Sequence, residues 1–180
     1  KYKNNQNAKP LILMGYYQII FNYGEKKFIK ECKKAGVNGL IVVDLSYPDN
    51  KKFASLCKKN SICFVQLIAP TTNIKRMKEI IKISHEMVYM ISMISTTGSA
   101  LKVTTRKIMK NYDIIKKINP SKNIAIGFGI TEKTIGSLKK ANGLVVGSAL
   151  CKEISKSIKN RQNPVTNVIN IVNKLKKKIS

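Results

Sequence analysis

Ile124-Ala125-Ile126-Gly127-Phe128-Gly129-Ile130 and Gly143-Leu144-Val145-Val146-Gly147-Ser148-Ala149 are the two stretches whose reading decides the fold. Each is an apolar run, rich in β-branched residues, that breaks at glycine and leads into a helix-like pattern. That is the build of a parallel strand whose exit loop lets a ligand approach bare backbone. Gly129 and Gly147 stand 18 residues apart, so two such loops can aim N–H groups at one anion. In a (β/α)8 barrel the loops after the seventh and eighth strands commonly form a phosphate site, helped by a short helix N-terminus. The expected ligand is a phosphorylated small molecule.

Working outward, strand-like runs fall at 10–14, 39–44, 62–67, 87–92, 124–128 and 143–147. Helix-like runs lie between them, at about 25–35, 49–59, 73–84, 105–118 and 132–140, followed by 149–158 and 165–178. The first helix presents Phe28, Ile29, Cys32 and Ala35 on one face; the last presents Val165, Val168, Ile169, Val172, Leu175 and Ile179. Pro164 suits the first turn of that last helix. Strict βα alternation predicts a parallel sheet covered by helices. Leu11-Ile12-Leu13-Met14 and Leu40-Ile41-Val42-Val43 are apolar on both faces, as buried parallel strands must be. An open doubly wound sheet would carry its glycines after its first strand, whereas here they follow the last two. The expected fold is therefore α/β, a (β/α)8 TIM barrel, with residues 1–180 as a single domain. Six βα units of about 30 residues are present, against about 250 residues for eight. Two units are expected upstream of Lys1, where the chain starts without Met on a polar tail reaching Lys9.

The 180 residues carry a formal charge of +25, which invites a nucleic-acid reading. Only three of 34 basic residues are Arg (Arg76, Arg106, Arg161), and no cluster of Arg forks with interleaved aromatics occurs. The Lys residues are scattered over helix-like segments beside abundant Asn and Ile, a mixture that shares AT-rich codons. A solvated surface accounts for the charge, and no nucleic-acid partner is expected. No run reaches the roughly 18 apolar residues of a membrane span. Cys32, Cys57, Cys63 and Cys151 lack zinc-site spacing and any C-x-x-C motif, so no metal is expected and the thiols read as buried and free, as in a reducing cytoplasm. Lone His85, between a helix end and the next strand, reads as a surface or helix-capping residue.

Reacting groups in such barrels sit at the C-terminal strand ends and the loops that follow. The candidates are Tyr16 and Tyr17, Asp44, Ala69-Pro70-Thr71, the loop from Ser92 to Gly98, Phe128 and Ser148. Acid–base chemistry usually needs two groups in opposed protonation states. Of nine carboxylates most lie on helix faces, and Asp44 alone ends a strand, where it suits orienting a loop or capping a turn. Thr96-Thr97-Gly98 has the small, hydroxyl-bearing composition of a mobile lid. Tyr89 would face the barrel lumen or pack in its core.

Taken together, Leu13-Met14-Gly15-Tyr16-Tyr17, Gly39-Leu40-Ile41-Val42-Val43-Asp44-Leu45, Ala69-Pro70-Thr71-Thr72, Thr97-Gly98, Gly127-Phe128-Gly129-Ile130 and Val146-Gly147-Ser148-Ala149 resemble the tryptophan synthase alpha subunit family, in its order and spacing. The resemblance covers strands 3 to 8 of that barrel. It implies retro-aldol cleavage of indole-3-glycerol phosphate to indole and glyceraldehyde 3-phosphate in tryptophan biosynthesis, a carbon–carbon lyase reaction. It implies that Gly98, Gly127, Phe128, Gly129, Gly147 and Ser148 cradle the substrate phosphate. Met14, Tyr16 and Ile41 would wall the indole pocket; Tyr89 would stand beside the catalytic centre and Thr97 on the lid. The partner implied is the beta subunit in an α2β2 tetramer, which holds the pyridoxal phosphate, leaving this chain without a cofactor. A cytoplasmic location is implied as well.

The same resemblance places the acid and base, a Glu on strand 2 and an Asp in the loop after it, upstream; no catalytic residue is expected within this chain, and the piece alone should be inactive. Gln18-Ile19 replaces the family's Asn-Pro, Ser95 a lid glycine, and Tyr47 stands near a usual proline. Two rivals share the glycine loops: a sugar-phosphate isomerase or epimerase on a phosphate-binding barrel, and a non-catalytic remnant kept for partner contact.

Overall fold

The structure is a computed structural model and describes residues 8–92, 94–96, 99–101, 104–127 and 129–179. The chain divides into two compact units, one running through Leu67 with Lys75–Val88, the other made of Ile68–Ile74 and the residues from Tyr89 onward.

In the first unit, Ile12–Gly15 (β1), Gly39–Val42 (β2) and Cys63–Phe64 (β3) form a parallel sheet in the order β1-β2-β3. Its register runs from Ile12 opposite Gly39 to Gly15 opposite Val42, and Leu40 lies opposite Phe64. All four residues of β2 are buried, which explains why that strand reads as continuously apolar. The helices Tyr17–Tyr23 (α1), Glu25–Lys34 (α2) and Lys51–Lys59 (α3) belong to the same unit. Ile29 and Cys32 of α2 and Phe53, Ala54 and Cys57 of α3 join Leu40, Val42 and Phe64 in one apolar cluster. At its centre Phe53 stacks edge-on to both Phe64 and Tyr17, each with centroids 5.8 Å apart.

Two sequence expectations change here. Helix α1 has no foretold start: Tyr16 occupies its N-cap without a side-chain bond, and only Ile20 of its seven residues is buried. The missing acceptor comes from outside, because the Tyr17 N–H donates to Asp44 Oδ1 at 2.6 Å, 27 residues away. His85 is not a free surface residue. Its Nδ1 accepts the Phe64 N–H at 3.0 Å, so it ends the β3 ladder where no strand partner does.

Further elements are Gln66–Ile68 (β4), Ile74–Ile83 (α4) and Met87–Ile91 (β5), and the expected single run at 62–67 is thus two short strands. In the second unit Ile94–Thr96 (β6) pairs antiparallel with Ser99–Leu101 (β7), so a hairpin stands where a loop was expected. Thr105–Ile118 (α5) is capped by Thr104, whose Oγ1 accepts the Lys107 N–H. Asn123–Gly127 (β8) and Gly143–Val145 (β9) pair in parallel, with Ala125 opposite Gly143 and Gly127 opposite Val145.

Between β8 and β9 the expected helix at 132–140 is only a 3-10 turn, Ile135–Leu138. The Thr134 hydroxyl accepts the Thr131 N–H at 3.0 Å, and Ser137 Oγ donates to the Thr134 carbonyl at 2.9 Å. These local bonds compete with a helical ladder, and Gly136 weakens it further. Ser148–Lys159 (α6) and Pro164–Lys177 (α7) complete the unit; Asn163 caps α7 by accepting from Val165 and Thr166. The apolar stripe foreseen on α7 is only partly covered. Leu175 is buried, whereas Val165 and Ile169 are more than half exposed.

Tyr89, 4% exposed, packs over Gly127. A Cβ at Gly127 would fall on the Tyr89 hydroxyl and Cζ and lie 3.1 Å from Val145 Cβ. Ser92 then locks the strand end, donating its N–H at 2.9 Å and its hydroxyl at 2.6 Å to the Gly127 carbonyl. Gly127→Ala is accordingly expected to destabilise the protein by about 1–3 kcal/mol in urea denaturation, the usual range for overpacking. Tyr89→Phe should recover part of that loss in a double-mutant cycle, since the hydroxyl is the nearest atom. An alanine variant as stable as the parent would contradict this packing.

Burial also sorts the thiols. Desolvation raises Cys32 and pushes Cys57, with no exposed surface, up to about 12, while Cys151 is exposed. The thiolate is the reactive form. In native protein at pH 8, an alkylating reagent should modify Cys151 first and spare Cys32 and Cys57 until the chain unfolds. Mass spectrometry of the tryptic peptides would reveal the opposite order if the α2–α3 packing were wrong.

Candidate functional site

Parallel pairing brings the two glycine-ended strands to a common edge. With Gly127 opposite Val145, the exits of β8 and β9 leave side by side. Gly129 adopts φ +68°, the left-handed region that favours glycine. Gly147 has an ordinary φ of −118° as N-cap of α6, so its backbone does not require glycine. What distinguishes it is space: a Cβ there would meet nothing within 4 Å. Its carbonyl accepts from Leu150 and Cys151, which starts the helix, while the Ser148 and Ala149 N–H groups lie ahead of the first helical acceptor. Ser148 is exposed, and the first turn of α6 carries no acidic residue. A helix start of this kind, positive at its end and open in front, suits an anion. The structure therefore brings Gly127, Gly129, Gly147 and Ser148 to one edge of the second unit. Phe128, Thr97 and Gly98 lie outside the described residues.

Tyr89 belongs to the same unit, and burial raises its phenol above the ordinary tyrosine range. The hydroxyl thus stays protonated at neutral pH, able to donate a hydrogen bond and unsuited to act as a base.

The apolar candidates lie in the first unit. Met14 and Ile41 are direct partners in the β1–β2 register and point to the same side. Met14 is 48% exposed and Ile41 buried. Tyr16, one residue beyond β1, is 59% exposed. Asp44 follows the end of β2 and spends one oxygen on the Tyr17 N–H, the capping role its position suggested. Arg76 fixes the loop beyond it, donating to Ser46 Oγ at 3.3 Å and to the Tyr47 carbonyl at 2.5 Å. Gln18 donates to Asn22 at 3.0 Å, and Ile19 is 68% exposed.

One feature escaped the sequence reading. Asn50 and Gln66 are buried and bonded, Asn50 Nδ2 donating to Gln66 Oε1 at 2.7 Å and to the Leu45 carbonyl at 3.2 Å. The available signal was a lone polar residue, Gln66, inside the apolar run 62–67. Among the described residues, no group of three or more His, Cys, Asp or Glu is placed to hold a metal ion, and no helix is long and apolar enough to cross a membrane.

Comparison with known proteins gives this geometry its family. The family model for the tryptophan synthase alpha chain matches residues 1–180. The tryptophan synthase alpha chain of Pelagibacter ubique is 66% identical over 179 residues, covering 99% of this chain and 68% of the relative. That of Methanocaldococcus jannaschii is 36% identical, covering 87% of this chain and 56% of the relative. Among solved structures, the alpha chain of Legionella pneumophila superposes with a TM-score of 0.82 at 25% identity, covering 98% of this chain and 65% of the other. A tryptophan synthase complex from Pyrococcus furiosus gives 0.78 at 30% identity, covering 96% and 68%. The chain thus spans about two thirds of the length of such relatives. Its α/β architecture of parallel strands is that of the (β/α)8 barrel. Matched along its whole length, and carrying the glycine-ended strands at the edge where that fold gathers its chemistry, the chain belongs to the tryptophan synthase alpha chain family.

Proposed function

We propose that this chain supplies the substrate-binding part of an alpha subunit that cleaves indole-3-glycerol phosphate to indole and glyceraldehyde 3-phosphate. The observation that carries the reading is the paired exit of β8 and β9 beside the open start of α6. Gly129, Gly147 and Ser148 hold the phosphate with backbone N–H groups, joined by Gly127, Phe128 and Gly98. Met14, Ile41 and Tyr16 wall the indole ring. Tyr89 donates to a polar atom near the reacting carbons, and Thr97 closes over the ligand. We read residues 1–180 as part of a single barrel domain.

The bond that breaks joins indole C3 to the glycerol carbon bearing a hydroxyl. A proton is delivered to the ring at C3 and the hydroxyl proton is removed, so that the carbonyl of the aldehyde forms as the carbon–carbon pair returns to the ring. Both proton transfers need carboxyl groups at the site. Asp44 is engaged by Tyr17, and the acid and base are assigned to the part of the family chain that these residues do not span. The chain itself needs no cofactor in this scheme. The partner is a beta subunit carrying pyridoxal phosphate, in an α2β2 assembly in the cytoplasm. Ile19 and Tyr23, exposed and one turn apart on the same side of α1, support such a partner contact. Neither the isomerase reading nor the remnant reading is favoured by the family match.

Completing the chain with the front third of the Pelagibacter ubique relative, fused or added as a fragment, should produce indole release. The 180-residue chain alone should release none above background, since each missing acid or base group is worth about 10²–10⁴-fold. Turnover by the short chain would place the chemistry on Asp44 or another group within it.

In the completed chain, Gly147→Asp should weaken binding of an indole alkyl phosphate lacking the scissile hydroxyl by at least about tenfold. A carboxylate would occupy the open space before α6 and repel the phosphate dianion; two unit charges about 4 Å apart near a protein surface repel by about 4 kcal/mol. Unchanged affinity in calorimetry would remove the phosphate from this site.

A further inference from the structure

Asn50 occupies the N-cap of α3 yet makes no capping bond. Asparagine at this position ordinarily turns its side-chain oxygen onto the helix N–H groups. Here the side chain is turned inward instead, 1% exposed, onto Gln66, 2% exposed. The arrangement is costly, because Asn50 Oδ1 and Gln66 Nε2 are both buried and without a hydrogen-bond partner. Two apolar side chains of similar shape would leave no such groups and would be neutral or favourable for stability. What the amides provide is a cross-link. Through the 2.7 Å bond Gln66 orients the Asn50 amide, and through the 3.2 Å bond Asn50 holds the Leu45 carbonyl. Leu45 directly follows Asp44, whose carboxylate accepts the Tyr17 N–H at 2.6 Å and so starts α1 beside Tyr16.

We propose that Asn50 and Gln66 form a positioning pair that fixes the loop after β2 and, through Asp44, the backbone of Tyr16 at the apolar slot. Neither residue touches substrate. The assignment of Tyr16 to the indole slot rests on the function proposed above, while the cross-link itself does not.

The test uses the completed chain and two variants, Asn50→Leu/Gln66→Leu and Gln66→Met. The first readout, taken without substrate, is the Tyr17 amide proton. A short bond to a carboxylate should place it downfield. In both variants the resonance should move upfield and lose its protection from exchange, while the melting temperature of the double variant stays equal or rises. The second readout is kinetic: KM for indole-3-glycerol phosphate should rise about tenfold with kcat changed less than threefold. An unmoved Tyr17 resonance in a folded variant overturns the proposal, and so does unfolding of both variants, which would make the pair a structural brace. An unmoved KM in a variant whose resonance has shifted overturns the link to the slot. If the completed parent releases no indole, the functional reading fails, and the Tyr17 signal still decides the cross-link.

Discussion

Parallel strand pairing is the constraint on which the candidate chemistry depends. Parallel neighbours start and end together, so the exits of β8 and β9 meet at one edge only because Gly127 lies opposite Val145. The same rule acts in the first unit, where the Met14–Ile41 and Gly15–Val42 pairs put Tyr16 and Asp44 just past adjacent strand ends. A shift of one residue would turn every side chain to the other face. Register is held where apolar burial is greatest: all of β2, and Ile124 through Gly127 of β8, are buried.

Each edge is then finished by a few polar bonds in an otherwise apolar interior. Ser92 spends both its donors on the Gly127 carbonyl, His85 accepts the Phe64 N–H, and Asp44 accepts the Tyr17 N–H. All three satisfy backbone groups at strand or helix ends, where ladders run out and an unpaired group would be costly. Gly127 differs in kind. Its value lies in the volume it leaves to the Tyr89 ring, which its φ angle does not explain.

The charge of +25 enters none of these sites. Nearly all described lysines are exposed, and two salt bridges, Lys34–Glu31 and Lys178–Glu132, are present among the described residues. Charges so placed are screened within about 10 Å at ordinary ionic strength and shape solubility more than fold. The proposed anion site would instead rely on backbone N–H groups at the start of α6, which are fixed in direction.

The alternation of strands and helices, the two glycine-ended runs, the buried Cys32 and Cys57, and Pro164 in the first turn of α7 were legible in the sequence. Each depends on local chemistry: side-chain periodicity, glycine's lack of a Cβ, or proline's fixed φ. Helix α1, the 3-10 turn at Ile135–Leu138, the role of His85, the fit of Tyr89 over Gly127 and the Asn50–Gln66 pair were not. In α1, His85, Tyr89 and Gln66 the partner lies 16 to 38 residues away along the chain. Short-range pattern carries no information about such meetings. By itself the sequence determined the family, the element order and which strand ends carry glycine, because these are properties of neighbouring residues. Only the tertiary structure decided which donor finds which acceptor and which glycine is needed for space, because those depend on the register in which distant strands pair.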